Sequence, residues 1–93
     1  MILNRIGTDI TIEWPITIDG QAQTLSELDL TLYVIHNRFK KEMNFTTEGN
    51  TMTFTFAGVD QVALGTYDLE LVMNEGKEGQ VVFDAKHVFK LYK

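Results

Sequence analysis

The chain has no cysteine, one proline and no apolar run long enough to cross a membrane. Without cysteine it has neither disulfides nor thiolate metal sites, which fits a reducing compartment. Eight Lys and Arg stand against thirteen Asp and Glu, so the net charge is −5. This balance counts against binding to nucleic-acid phosphates or to an anionic membrane surface. We therefore expect a protein that neither binds nucleic acid nor inserts into a membrane.

The beginning of the chain carries no visible signal peptide. Residues 1–6 are too short for the apolar segment of a secretory signal, and Asp9 follows closely. The sequence thus predicts a protein made in the cytoplasm. Ninety-three residues with 44% hydrophobic content predict one core in a single domain, residues 1–93.

Apolar and polar residues alternate along much of the chain. Successive side chains of a strand point to opposite faces, so this alternation predicts strands with one buried face. The clearest stretch ends at an Asp19-Gly20 turn signal, and its apolar residues are Ile10, Ile12, Trp14, Ile16 and Ile18. Similar parity recurs around Leu32, Met52, Leu69 and Phe83, while Thr24–Glu27 has the spacing of a capping box on a helical turn.

Turn signals divide these stretches into about six or seven strands, the pattern of a β-sandwich or barrel. The segment 64–71 adds a detail, because Tyr67 lies two residues before Leu69. A corner tyrosine holds this place relative to the second cysteine of immunoglobulin-type sandwiches. A plain core tyrosine with its hydroxyl at the rim explains Tyr67 equally well. We expect an all-β fold, a single antiparallel immunoglobulin-like (Ig-like) sandwich.

Residues for catalysis or metal binding are sparse. Ser26 is the only serine, and the only histidines are His36 and His87. The histidines have no ligand-type partner at metal-binding spacing, and the glycines form no phosphate-binding loop. Ser26 is explained by the predicted helical turn, so a Ser-His-Asp unit is the weakest hypothesis. The sequence predicts a non-enzyme with no cofactor and no bound metal.

One sheet of the predicted sandwich has an apolar outer face. If the strands pair as in an Ig-like sandwich, those around Leu32, Leu69 and Phe83 share this sheet, and those led by Ile10 and Met52 share the other. Contiguous exposed apolar surface usually marks an interaction site, and β-branched residues half-covered by loops give the same pattern; both explanations stay open. If the surface is an interaction site, it binds a protein partner, which is a second copy of this chain or another subunit. The predicted contact residues are Tyr33, Ile35, Val72, Val82, Val88 and Tyr92.

The long strand ending in Ile18-Asp19-Gly20, the polar loop to Leu25-Ser26 and the later Gly65-Thr66-Tyr67-Asp68-Leu69 resemble a known family. They are similar to the N-terminal Ig-like domains of phage baseplate and tail-fibre proteins. The resemblance covers most of the chain and implies a structural module that anchors a longer protein to a virion. No binding residue is carried over, because the similarity lies in scaffold positions.

Two other non-catalytic classes remain open beside this virion-associated assembly module. A bacterial cell-surface adhesion module would occur in tandem copies behind a secretion signal. A carbohydrate-binding module would expose Trp14, Tyr33 or Tyr92 as a flat stacking platform. The parity of Trp14 predicts that its ring is buried, which argues against that last class.

Overall fold

The computed structural model describes all residues, 1–93, and the fold is all-β. Single-turn 3₁₀ helices span Leu25–Glu27 and Gly58–Asp60. The strands are β1 (Ile2–Arg5), β2 (Ile10–Pro15), β3 (Thr17–Ile18), β4 (Gln21–Ala22), β5 (Leu30–His36), β6 (Phe39–Met43), β7 (Thr46–Glu48), β8 (Thr51–Phe56), β9 (Gly65–Met73) and β10 (Val81–Tyr92).

Most of these strands form two sheets. One has the order β1-β10-β9-β5-β6, the other has the order β2-β8-β7, and β3 and β4 form a small hairpin. The prediction that the strands of Ile10 and Met52 share a sheet is confirmed, as is the shared sheet of Leu32, Leu69 and Phe83. Ten strands replace the expected six or seven because several are only two to four residues long.

The expectation of a purely antiparallel fold is wrong. β1 runs parallel to the end of β10, with Ile2 opposite Phe89 and Arg5 opposite Tyr92. Parallel neighbours need a long connection between them, and here nearly the whole domain lies between the two strands. β1 is not predicted from the sequence, because its four residues carry too little alternation to stand out.

The predicted strand from Ile10 to Ile18 is interrupted after Pro15. Proline has no backbone N–H to donate to a ladder, so pairing with β8 ends at Pro15 opposite Thr51. Ile16 instead donates its N–H to the Asn50 carbonyl at 2.9 Å. The helical turn over Leu25–Glu27 is present, but Thr24 makes no side-chain cap bond.

The two sheets pack face to face through aromatic side chains. Phe56 of β8 lies 5.8 Å from Tyr67 of β9 and 6.1 Å from Phe89 of β10, between ring centroids. Tyr67 and Phe89 stack at 4.9 Å within their own sheet. All three rings are fully buried, so this cluster is the centre of the core.

Tyr67 makes a side-chain hydrogen bond to the backbone that precedes its own strand. The Tyr67 hydroxyl donates to the Ala63 carbonyl oxygen at 2.7 Å, four residues upstream and just before β9. This is the backbone bond that a corner tyrosine makes in immunoglobulin-type sandwiches. Burial raises the pKa of Tyr67, and the bond to Ala63 partly offsets that rise.

Candidate interaction surface

The five-stranded sheet turns one face away from the core, and we call it the outer sheet face. Its members follow from parity, because Leu32, Val34, Leu69 and Leu71 are buried between the sheets and their neighbours must point outward. On β5, β9 and β10 the outward positions include the predicted Tyr33, Ile35, Val72 and Val82.

The predicted partner-binding residues differ in accessibility. Val82 is 52% exposed and Tyr92 is 45% exposed, while Tyr33 and Ile35 are half-buried. Val72 is only 3% exposed, although it points outward. It lies in the central strand between Thr31 and Val82, so its neighbours cover it from both sides.

Val88 lies in an irregular stretch of β10. The register with β9 shifts between Ala85 and Phe89, and His87 has a positive φ of 54°. This β-bulge redirects the chain, and Val88 packs against the core instead of projecting from the outer sheet face. Val72 therefore offers little surface to a partner and Val88 is half-buried against the core, for reasons that parity alone does not show.

A polar cluster lies at the middle of the outer sheet face. The Tyr33 hydroxyl donates a hydrogen bond to Oε1 of the Glu75 carboxylate, at an O···O distance of 2.6 Å. Lys40 Nζ lies 4.3 Å from the centre of the Tyr33 ring. Lys40 also forms an ion pair with Glu70 at 3.2 Å. The hydrogen bond to Glu75 is the largest cause that raises the pKa of Tyr33 to about 12.

These contacts divide the outer sheet face into patches. Val82 lies beside Val72 near one end, and Ile35 lies between Lys40 and Asp68 on the neighbouring strands. Tyr92 is opposite Arg5 at the far end of β10. Apart from Val88, the predicted residues are thus one pair on β5, one pair across β9 and β10, and a separate tyrosine.

Other exposed apolar residues escaped the sequence analysis. Met1, Ile2 and Leu3 are 67%, 46% and 65% exposed in and beside β1. Val59 and Val62, in the crossover between β8 and β9, are 92% and 70% exposed. The change of periodicity after Phe56 was a signal for this crossover, but it did not indicate which side chains face solvent.

The residues considered for catalysis lie apart. The His36 ring stacks on Tyr67 at 4.7 Å, and its Nδ1 lies 2.8 Å from the Thr66 carbonyl oxygen. His87 is in the β10 bulge, and its backbone N–H donates to Asp68 at 2.8 Å. Ser26 is exposed in the first 3₁₀ helix. No group of three or more His, Asp or Glu residues has the geometry to hold a metal ion.

A shallow depression of about 230 Å³ is lined by Asn44–Thr46 and Thr53–Thr55. Trp14 packs against the core but is only partly buried, where its parity predicted a buried ring, and Lys40 covers one face of the Tyr33 ring. None of the helices has the length and apolar content needed to span a bilayer.

Searches of family models, curated proteins and solved structures found no match to this chain.

Proposed function

We propose that this protein is a non-catalytic assembly module built on an Ig-like sandwich, of the type found in phage or prophage tails and baseplates. The order β1-β10-β9-β5-β6 over β2-β8-β7 supports the Ig-like part. So does the Tyr67 hydroxyl bonded to Ala63, which is the feature expected at the start of the sixth strand of such a sandwich.

The single observation that carries the assembly role is the set of apolar side chains left on the five-stranded sheet. Val82 and Tyr92 are exposed on its outer face, and Ile35 projects there without joining the core. Removing apolar surface from water lowers the free energy by about 25 cal/mol per Å². A complex in which a partner covers these side chains is therefore stabilised. The partner is another protein subunit, either a second copy or another virion component.

Solution mass by light scattering over a range of concentrations tests this role. The wild type assembles with rising concentration, and Ile35→Lys weakens the assembly because it places a charge in the contact. Thr53→Lys is the matched control, since Thr53 is also β-branched, half-buried and outward, but lies on β8 in the other sheet. Assembly that Ile35→Lys leaves unchanged contradicts docking through the outer sheet face.

A further inference from the structure

One edge of the five-stranded sheet is only partly covered. β10 pairs with β9 from Val81 onward, but β1 pairs only with its last four residues, Phe89–Tyr92. In an antiparallel pair, alternate residues direct their N–H and C=O groups away from the partner strand. Along Val81–Ala85 these outward groups have no strand beside them, and they accept or donate no other hydrogen bond in the chain. We call this segment the free edge.

The other sheet edges carry features that discourage strand pairing. β6 has three charged residues in succession, Lys40, Lys41 and Glu42. β2 contains Glu13 and ends in Pro15, while β7 and β1 are only three and four residues long. Charges, proline and short length are the usual means by which proteins protect an edge. The free edge of β10 has a single charged residue, Asp84, and no proline.

The side chains of the free edge also lack cover. Val81 and Val82 are 39% and 52% exposed, and Phe83 and Ala85 are only half-buried although they pack against the core. An added strand would bury the inward side chains and satisfy the outward backbone groups together.

We propose that the free edge is a strand-addition site, and that its occupant is the same strand of a second copy of this chain. The two copies pair antiparallel about a two-fold axis at Phe83, which joins their five-stranded sheets into one. This inference rests on the proposed assembly role and names the contact that serves it.

Charge decides both the occupant and the register. Asp84 lies 3.5 Å from Lys86, so the segment is locally neutral and does not repel its own copy. With the axis at Phe83, Val82 lies opposite Asp84 of the second copy, and no like charges are directly opposed. An axis at Asp84 would oppose two carboxylates. A register further along the strand would include His87, where the positive φ and the bulge interrupt the extended backbone.

Two substitutions of opposite charge at Val82 test this register. Val82→Asp places a carboxylate opposite Asp84 of the second copy twice in the dimer, and Val82→Lys places an ammonium group there. We expect the dimer dissociation constant to rise about threefold to tenfold for Val82→Asp and to fall by a similar factor for Val82→Lys. The two variants replace the same exposed side chain, so each is the control for the other, and thermal unfolding verifies that both are folded.

Amide hydrogen exchange locates the contact. The outward amides of Val81–Ala85 should exchange more slowly as the wild-type concentration rises, and less so in Val82→Asp. A monomer at every concentration, or a dimer that is indifferent to the charge at residue 82, overturns the proposal. A dimer that Ile35→Lys breaks and that Val82→Asp and Val82→Lys weaken alike supports the outer sheet face and refutes strand pairing. A dimer that Ile35→Lys leaves intact and that the two Val82 variants shift in opposite directions supports strand pairing and refutes docking through that face.

Discussion

The Tyr67 hydroxyl and the Ala63 carbonyl oxygen are joined by a 2.7 Å hydrogen bond that fastens the crossover to the start of β9. The tyrosine ring is fully buried and contacts Phe56 and Phe89 across and within the sheets. The Tyr67 ring therefore packs in the apolar core, and its hydroxyl holds the backbone that precedes β9.

Tyr67→Phe removes this hydrogen bond and keeps the ring. We expect the free energy of unfolding to fall by about 1–3 kcal/mol, because the Ala63 carbonyl loses its partner in a partly buried place. Denaturant unfolding measures the loss. Tyr92→Phe is the control, since Tyr92 is 45% exposed, and its effect should be close to zero. Equal stability of both variants would contradict a structural role for the bond.

Gln61 joins the crossover to the loop after β1. Its Oε1 accepts from the Gly7 N–H at 2.8 Å, and its Nε2 donates to the Thr8 and Phe56 carbonyl oxygens at 2.7 and 3.2 Å. The residue is only 8% exposed. Gln61→Glu replaces the donating nitrogen with an oxygen that faces two carbonyl oxygens, and the protonated acid can still donate to one of them.

We therefore expect burial and the carbonyl dipoles to raise the pKa of the introduced glutamate in the folded state. The folded variant then holds its proton more tightly than the unfolded chain, so stability decreases as pH rises from about 4 to 7. Unfolding by urea at both pH values measures the difference from wild type. Gln80→Glu is the control, because the Gln80 oxygen accepts from the Gly76 N–H and a carboxylate can do the same. A pH-independent loss in Gln61→Glu would refute this account.

Gly58 is required by the close approach of two loops. A Cβ at this position would lie 2.0 Å from the Gly7 carbonyl oxygen, which is backbone and has little freedom to move. Gly58→Ala should cost about 2 kcal/mol or more, or prevent folding, because the crossover must shift away from residues 7–8.

Gly76→Ala supplies the comparison for this prediction. Gly76 has a φ of 72° with open space around it, so alanine there meets only the cost of the left-handed conformation, about 1 kcal/mol. Thermal unfolding of both variants measures the contrast. If Gly76→Ala is the more destabilised variant, the backbone conformation at these glycines, and not crowding by neighbouring atoms, determines the cost of adding a side chain.

Tyr33 and Glu75 give a prediction at high pH. The hydrogen bond to Glu75, then burial, then the negative charges of Glu75, Glu42 and Glu70 raise the pKa of Tyr33 from 10.0 to about 12. Between these values the folded state binds more protons than the unfolded chain, so this contribution to stability is present below pH 10.0 and is lost as pH rises through about 12.

Glu75→Gln should lower the pKa of Tyr33 toward its ordinary value, because the amide carries no charge and accepts more weakly. Ultraviolet titration of tyrosinate in the wild type and in Glu75→Gln measures this change, with Tyr33→Phe to assign the signal. Glu78→Gln, in the same exposed turn, is the control and should leave the titration unchanged. An unchanged titration in Glu75→Gln would contradict the hydrogen bond.

Side-chain parity, read from the sequence, was sufficient to predict the all-β fold and the principal strands, and pairing them as in an Ig-like sandwich predicted which of them share a sheet. Ile10, Ile12, Met52 and Phe54 are buried where alternation placed them. Parity succeeds because it is a local property: successive residues of a strand must point to opposite sides whatever pairs with them.

Parity failed where burial depends on distant parts of the chain. Val72 points outward but is buried between Thr31 and Val82, which belong to strands far away in sequence. Val88 packs partly buried against the core, next to the bulge that shifts the register of β10. The bulge lies at a positive φ of His87, for which the sequence carries no glycine signal.

By itself, then, the sequence determined the alternation of buried and exposed residues, the turns and the acidic balance of the chain. Only the tertiary structure decided that β1 pairs parallel to β10, that Gln61 joins two loops, and that Val81–Ala85 has no strand on the side away from β9. Strand order and free edges depend on which distant segments meet. That choice is made by the packing of the whole core, whereas each strand's alternation is set within a few residues.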